Sequence, residues 1–294
     1  MRRLLLACVA VALTAPAAAS ADPVIYAAGD IACPPGSATT ATQCAQRRTS
    51  DLISWSNRIL PLGDNQYDTG ALSAYNSVYH PTWGRFDPLA SPVPGNHDYG
   101  TSGAGGYFSY FGARAGTRGQ GWYSYDLGAW HLLALNSECN HLSGSPCASG
   151  GAEETFVRTD LASHPNACTL AYFHEPVFSS GSAQVENAAA MMPIWRDLYA
   201  AHVDLVLNGH KHNYQRANLL GPTGAVDSRG IRLLIVGTGG EDHSGSAALR
   251  SGFQVFDNET FGVLRVVLHA GSYDWRFVPE PGKTFTDSGT DRCR

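Results

Sequence analysis

Five short segments of this 294-residue chain carry side chains that bind metal ions, and most sit beside a glycine. They read Gly29-Asp30, Gly63-Asp64-Asn65-Gln66-Tyr67, Gly95-Asn96-His97-Asp98, Phe173-His174-Glu175 and Gly209-His210-Lys211-His212. Carboxylate, phenol, amide and imidazole together suit hard or borderline cations. A carboxylate has two oxygens, so one Asp can hold two cations, and two-metal sites have separations of about 3.5–4 Å. A pair of cations depresses the pKa of a water held between them, which makes hydroxide available near neutral pH. The same pair offsets charge building on a phosphoryl group and orients an ester for in-line attack. His210 and His212 are two apart, so in an extended segment they project to the same side and one stretch can feed two ions. Glycines beside the ligands permit tight turns and close backbone approach.

Residues so far apart in sequence meet only if something delivers them to one place. The apolar runs at 24–28, 58–62, 91–94, 169–173, 203–207 and 231–236 read as strands, and nearly all end in Asp, Asn, His or glycine. Helical spacing over 49–55, 71–79, 152–163 and 184–201 supplies the connections. This βαβ pattern implies a largely parallel sheet, and in open α/β sheets the carboxyl ends of the strands face the ligand crevice. Residues 101–121 are rich in Gly, Tyr and Phe and read as a packed loop. Residues 122–126 and 130–135 read as a hairpin around Leu127-Gly128, and 262–268 with 273–278 as closing antiparallel strands.

The composition sets the class. With 44% hydrophobic residues, 15% charged and 32 glycines, the chain is globular and loop-rich. Arg2 and Arg3, the apolar run 4–13 and Ala19-Ser20-Ala21 read as a signal peptide of residues 1–21, so the expected location is secreted or extracytoplasmic after cleavage near Ala21. Residues 22–294 are then one domain, and no later stretch is long enough to cross a membrane. The formal net charge of −5, more negative once the leader's arginines leave, comes with no basic cluster, so no nucleic acid is expected as a partner. Cys33, Cys44, Cys139, Cys147, Cys168 and Cys293 remain, an even number that suits disulfides in an exported protein. Short loops favour Cys33–Cys44 and Cys139–Cys147, which leaves Cys168–Cys293. Asn258-Glu259-Thr260 matches a glycosylation sequon, a triplet that also arises by chance.

The five motifs, in this order, resemble those of the calcineurin-like metallophosphoesterase superfamily, and the Asp64-x-x-Tyr67 spacing is similar to its purple acid phosphatase branch. The resemblance implies a four-layer α/β/β/α sandwich of two mixed sheets flanked by helices. It implies that Asp30, Asp64, Tyr67 and His212 bind a first metal and Asp64, Asn96, His174 and His210 a second, with Asp64 bridging. It places His97 toward the substrate, with Asp98 orienting its imidazole. Phenolate is a hard anionic ligand, so iron is expected at the Tyr67 site, with zinc, manganese or iron at the other. Ala32 stands where the purple branch usually has Gly and where other branches place a ligating His, and Ala183 and Gln184 stand where plant-like members carry extra histidines. That leaves His97 as the proton donor to the leaving group. Gly237-Thr238-Gly239-Gly240 resembles the family's glycine-rich loop, which makes His243 a candidate substrate contact. The implied function is a secreted phosphatase that hydrolyses small phosphomonoesters with a hydroxide held between two metals. A phosphodiesterase or nucleotidase with the same core, and a non-catalytic secreted binding protein on this scaffold, are the alternatives. His80, His131, His141, His164, His202 and His269 have no motif support and read as structural or surface residues.

Overall fold

The computed structural model describes residues 21–165, 168–181, 185–244 and 249–294. The leader, apart from Ala21, lies outside the described residues, as do Ala183 and Gln184. In chain order the strands are β1 (Val24–Ala28), β2 (Arg58–Pro61), β3 (Tyr123–Leu127), β4 (Trp130–Ala134), β5 (Cys168–Tyr172), β6 (Leu205–Asn208), β7 (Tyr214–Leu220), β8 (Ile231–Val236), β9 (Phe253–Asp257), β10 (Gly262–His269), β11 (Ser272–Pro279) and β12 (Ser288–Arg292). They form a five-stranded sheet, β12-β11-β10-β1-β2, and a seven-stranded sheet, β3-β4-β5-β6-β8-β7-β9. β1 pairs parallel with β2, and β4, β5, β6 and β8 run parallel to one another. The remaining pairings are antiparallel, so both sheets are mixed.

Alternation along the strands shows how the layers stack. Leu132 and Ala134 of β4, Leu170 and Tyr172 of β5, and Leu234 and Val236 of β8 share a core with Ile25, Leu264, Val266 and Phe277 of the five-stranded sheet. Their neighbours Leu133, Ala171, Val206, Leu233 and Ile235 turn the other way, onto Val157 and Leu161 of one helix (Ala152–Ser163) and Met191, Ile194, Trp195 and Leu198 of another (Ala188–Ala200). With successive side chains on opposite faces, a strand buried on both sides reads as a nearly continuous apolar run, interrupted here by His131, Thr169 and Arg232. Short helices around Tyr75, Tyr79, Trp83, Tyr107 and Phe111 cover the outer side and complete the four-layer α/β/β/α sandwich. Among the described residues no helix is long and apolar enough to cross a membrane. All three bridges form as the loop lengths suggested: Cys33–Cys44, Cys139–Cys147 and Cys168–Cys293.

Three local readings differ from the structure. The helix read over 49–55 is instead Gln46–Ser50, because the Thr49 hydroxyl is tied to the Gly239 carbonyl at 2.5 Å and Trp55, 66% exposed, buries no face. Residues 91–94 run beside β2 with two hydrogen bonds, Ser91 N to Ile59 O (2.9 Å) and Val93 N to Pro61 O (3.0 Å), but form no full strand. Pro92 and Pro94 alternate with the bonded residues and have no N–H to extend a ladder. The packed loop at 101–121 is packed, but as helical turns centred on Gly105–Phe111 that bury Tyr107, Phe108 and Phe111.

Candidate metal centre

The five segments arrive at one place because parallel strands end together and their following turns interlock. Past β1, Asp30 N donates to Gly63 O (3.1 Å) and Ile31 N to Asp64 O (3.0 Å), which fixes the two acidic turns side by side. Past β5 and β6, Gly209 N donates to His174 O (3.0 Å) and Gly29 N to Val236 O (2.9 Å), which joins the two sheets across the crevice. Space explains two of the glycines. A Cβ on Gly63 would lie 2.6 Å from the His174 ring, and one on Gly95 would press into the Asp64 carboxylate and lie 2.8 Å from the same ring. Asp30, Asp64 and His210 themselves adopt left-handed backbone, with φ of 60°, 48° and 68°. Non-glycine residues held there cost on the order of 1 kcal/mol or more each and cluster at functional sites.

The side chains form two groups that meet at one atom. In the first, Tyr67 Oη lies 3.0 Å from Asp30 Oδ1, 2.9 Å from Asp64 Oδ2 and 3.0 Å from His212 Nε2, and His212 Nε2 lies 3.2 Å from Asp30 Oδ1. In the second, Asn96 Oδ1 lies 3.2 Å from His174 Nε2 and 3.1 Å from His210 Nδ1; the two histidine nitrogens are 3.3 Å apart, and His174 Nε2 is 3.2 Å from Asp64 Oδ2. Asp64 Oδ2 therefore belongs to both groups. The other oxygen, Oδ1, accepts the His97 backbone N–H at 2.8 Å.

The chemistry of these atoms tests whether cations fit. His174 Nδ1 donates to the Leu62 carbonyl at 2.9 Å, so Nε2 is the nitrogen that turns to the centre; burial opposes the charged ring, but the pull of Asp64 outweighs it and holds the pKa well above its usual value. That nitrogen faces an amide oxygen, a carboxylate oxygen and another imidazole nitrogen. A proton on Nε2 satisfies this cluster when no metal is bound; with Nε2 deprotonated, as a ligand must be, these acceptors repel one another unless a metal cation sits among them. The contacts within both groups span 2.9 to 3.3 Å. His212 is backed like a ligand too: its Nδ1 contacts Asp242 closely and Glu241 Oε2 at 3.3 Å, which leaves Nε2 for the centre. The protein's own field strains the groups in opposite directions. Burial and then His174 push His210 down to about 3, whereas the pull of Asp30 and Asp242 outweighs burial and lifts His212 to about 12. Burial, Asp30 and Asp64 push the Tyr67 phenol well up.

Asp98 sits differently from expectation. The half-buried His97 ring packs on Tyr67 with centroids 4.2 Å apart, and its Nδ1 is held by the Asp68 carbonyl at 2.7 Å. Asp98 does not orient that imidazole. Its buried carboxylate accepts Gly95 N (3.0 Å), Asn65 N (3.3 Å), Asn65 Nδ2 (3.0 Å) and the Tyr75 hydroxyl (2.6 Å), so it ties down the loop that carries Asn96 and His97. Burial, then the nearby Asp64, raises its pKa to about 6. His243 stacks on Phe261 at 3.8 Å, and burial pushes it down to about 4. Sequence reasoning missed Glu241, Asp242, the Asp68 and Leu62 carbonyls and Asn65. Only Glu241 and Asp242 had a sequence signal, as the residues that follow the glycine-rich turn.

A family model described as calcineurin-like phosphoesterase matches residues 25–214. Purple acid phosphatase 23 of Arabidopsis thaliana is 28% identical over 175 residues, which cover 54% of this chain and 37% of that protein. Purple acid phosphatase 15 of the same plant is 27% identical over 185 residues, covering 56% and 34%. The match thus spans about a third of the length of these curated relatives. Among solved structures, a purple acid phosphatase from yellow lupin (Lupinus luteus) seeds gives a TM-score of 0.72 at 17% identity, covering 92% of this chain and 54% of that one. GAP50, the anchor in the inner membrane complex of Plasmodium, gives 0.71 at 14% identity, covering 94% and 90%. At such identities these two show a shared fold.

Proposed function

The chain belongs to the calcineurin-like phosphoesterase family, and on that footing we propose that it is an extracytoplasmic metal-dependent phosphatase acting on small phosphomonoesters. The observation that carries this reading is the single oxygen, Asp64 Oδ2, common to two groups of lone-pair donors. Asp30, Asp64, Tyr67 and His212 would hold one cation, and Asp64, Asn96, His174 and His210 the other. The Tyr67 phenol and two carboxylates favour iron in the first group; the nitrogen-richer second group suits zinc, manganese or iron. When bound, such a pair supplies hydroxide near neutral pH and offsets charge on the phosphoryl oxygens.

The chain's own residues provide the rest. The Asp68 carbonyl only accepts, so His97 keeps a proton on Nδ1. Its Nε2 is then the nitrogen that changes state, and in the imidazolium it donates a proton to the departing alkoxide. The His97 N–H grips Asp64 Oδ1, so this donor and the shared carboxylate move as a unit. Three disulfides and the leader-like N-terminus support secretion.

The test is a panel of phosphomonoesters and phosphodiesters assayed on protein whose metals have been quantified, beside Asp64→Ala. The expected result is turnover of monoesters above diesters, two metals per wild-type chain, a visible phenolate-to-iron band, and loss of metals and turnover together in the variant. A metal-replete wild type without phosphoester hydrolysis would overturn the reading.

A further inference from the structure

A second group of unneutralised polar atoms lies far from the metal centre. Edge strands β2 and β3, one from each sheet, come together along a seam, and a cavity of about 310 Å³ opens there. Arg58 of β2 and Arg114 both line it, with Tyr123 and Tyr125 of β3. Arg58 opens β2 while Asp64 lies beyond its other end, so six residues of extended chain, about 20 Å, separate the two places.

Neither guanidinium has an acceptor at hydrogen-bond distance among the described residues. Arg58 makes no ion pair; its Cζ lies 5.2 Å from the Tyr125 ring centroid, and its Nε is buried without a partner. The Arg114 Nε is likewise buried and unpartnered. Its nearest carboxylate oxygen, Asp87 Oδ2, is 3.9 Å from Nη2, already accepts the Tyr110 hydroxyl at 2.7 Å and lies 3.8 Å from His80. Arg114 thus shares its one distant carboxylate with His80, and among the described residues Arg58 has no carboxylate within ion-pair distance. Leaving charged donors unsatisfied in such a place is costly, and a planar guanidinium is matched best by an oxyanion bound through two parallel hydrogen bonds. The remaining walls are largely apolar. Tyr123 commits its hydroxyl to Pro92 O at 2.8 Å, Tyr125 shares its own with Tyr172 at 3.2 Å, and Pro88, Ala90, Ser91, Ala113 and Gly116 complete the lining.

We propose that this seam is a second ligand site, which binds a small organic anion by its phosphate, phosphonate or carboxylate head between Arg58 and Arg114, with a flat apolar body against Tyr123 and Tyr125. The volume is at the small end of the range for ligand pockets, about 300–1,000 Å³, and fits one ring with its charged group. The site does not depend on the metal centre, so it stands or falls separately from the proposed activity.

The experiment is calorimetric titration of phenylphosphonate, and separately of benzoate, into wild-type holoprotein, Asp64→Ala and the double variant Arg58→Gln/Arg114→Gln. Phenylphosphonate should fill two sites on the wild type, keep the seam site in Asp64→Ala, and lose at least about tenfold in affinity at that site in the double variant. The double variant should hydrolyse substrate with unchanged kcat and KM. Benzoate that binds the wild type and fails on the double variant shows that a carboxylate head suffices; phosphonate binding alone assigns the site to dianions. Should the double variant fold poorly, Arg114→Gln alone serves, since that side chain is 36% exposed. Identical isotherms for wild type and arginine variants, or no binding to Asp64→Ala, overturn the proposal.

Discussion

Alanine at Asp98 should unmoor the loop that presents Asn96 and His97 without touching a substrate-facing atom. The carboxylate is fully buried and accepts four donors: Gly95 N, Asn65 N, Asn65 Nδ2 and the Tyr75 hydroxyl. Asp98→Ala strands them in a site closed to solvent, at about 1–3 kcal/mol each. Part of that is returned, because burial already disfavours the charged form and lifts the Asp98 pKa to about 6. A net loss of about 4 kcal/mol follows, or roughly 8–16 °C in unfolding temperature for a domain of this size. The catalytic consequence comes from displacement. A loop that shifts by ~1 Å at the reacting centre loses about 10²-fold in rate. Thermal unfolding and kcat, measured together on Asp98→Ala and on the gentler Asp98→Asn, check both parts. Asn keeps one acceptor oxygen and should fall between wild type and Ala on each scale. If Asp98→Ala unfolds within a few degrees of wild type and keeps full turnover, the tether does not position the loop and the reasoning fails.

His97→Ala should retain both metals and slow turnover by ~10²–10⁴, the range for a positioned acid–base group; metal loss instead of slow turnover would show that the ring supports the centre rather than the leaving group. Glu153 gives a pH-dependent outcome. Burial raises its carboxyl from 4.5 to about 8, against the lowering effect of the Asn136 N–H it accepts at 2.6 Å. A group whose folded pKa is raised contributes stability that is intact below about 4.5 and is lost as pH climbs through 8. Glu153→Gln keeps the acceptor and sheds the charge, so it should match wild type near pH 4 and exceed it by on the order of 3 kcal/mol at pH 7, or roughly 6–12 °C. Melting curves that stay parallel across that pH range would refute the assignment.

The strand ends were legible because a strand buried on both faces has to be largely apolar, so β1, β5, β6 and β8 announce themselves and the glycine or polar residue at or just past each end marks it. The helix 152–163 was read to its observed limits for a related reason, since one face must cover the sheet. The polar strands were not legible. β12 reads Ser-Gly-Thr-Asp-Arg and β7 begins Tyr-Gln-Arg, and no periodicity separates them from loops. They are strands because tertiary partners hold them, with Asp291 taken by Arg232 at 2.7 Å and Asp287 by Arg216 at 2.8 Å. The same divide runs through the site. The candidate metal-binding residues were visible as residue types in order, but what orients them was not. Backbone carbonyls such as those of Leu62 and Asp68 have no residue type to read, and Asp98 reached Asn65 and Gly95 instead of the adjacent imidazole.

The left-handed backbone at Asp30, Asp64 and His210 restricts how this centre can be rebuilt. Asparagine and aspartate tolerate that conformation better than most residues, and β-branched or bulky ones tolerate it worst. A designer seeking to change the bound element by exchanging these three side chains for glutamate or cysteine would contend with the main chain before reaching the coordination chemistry. Tyr67, Asn96, His174 and His212 have no such backbone restriction. Retuning is therefore open at those four positions, and the palette at the other three is narrow.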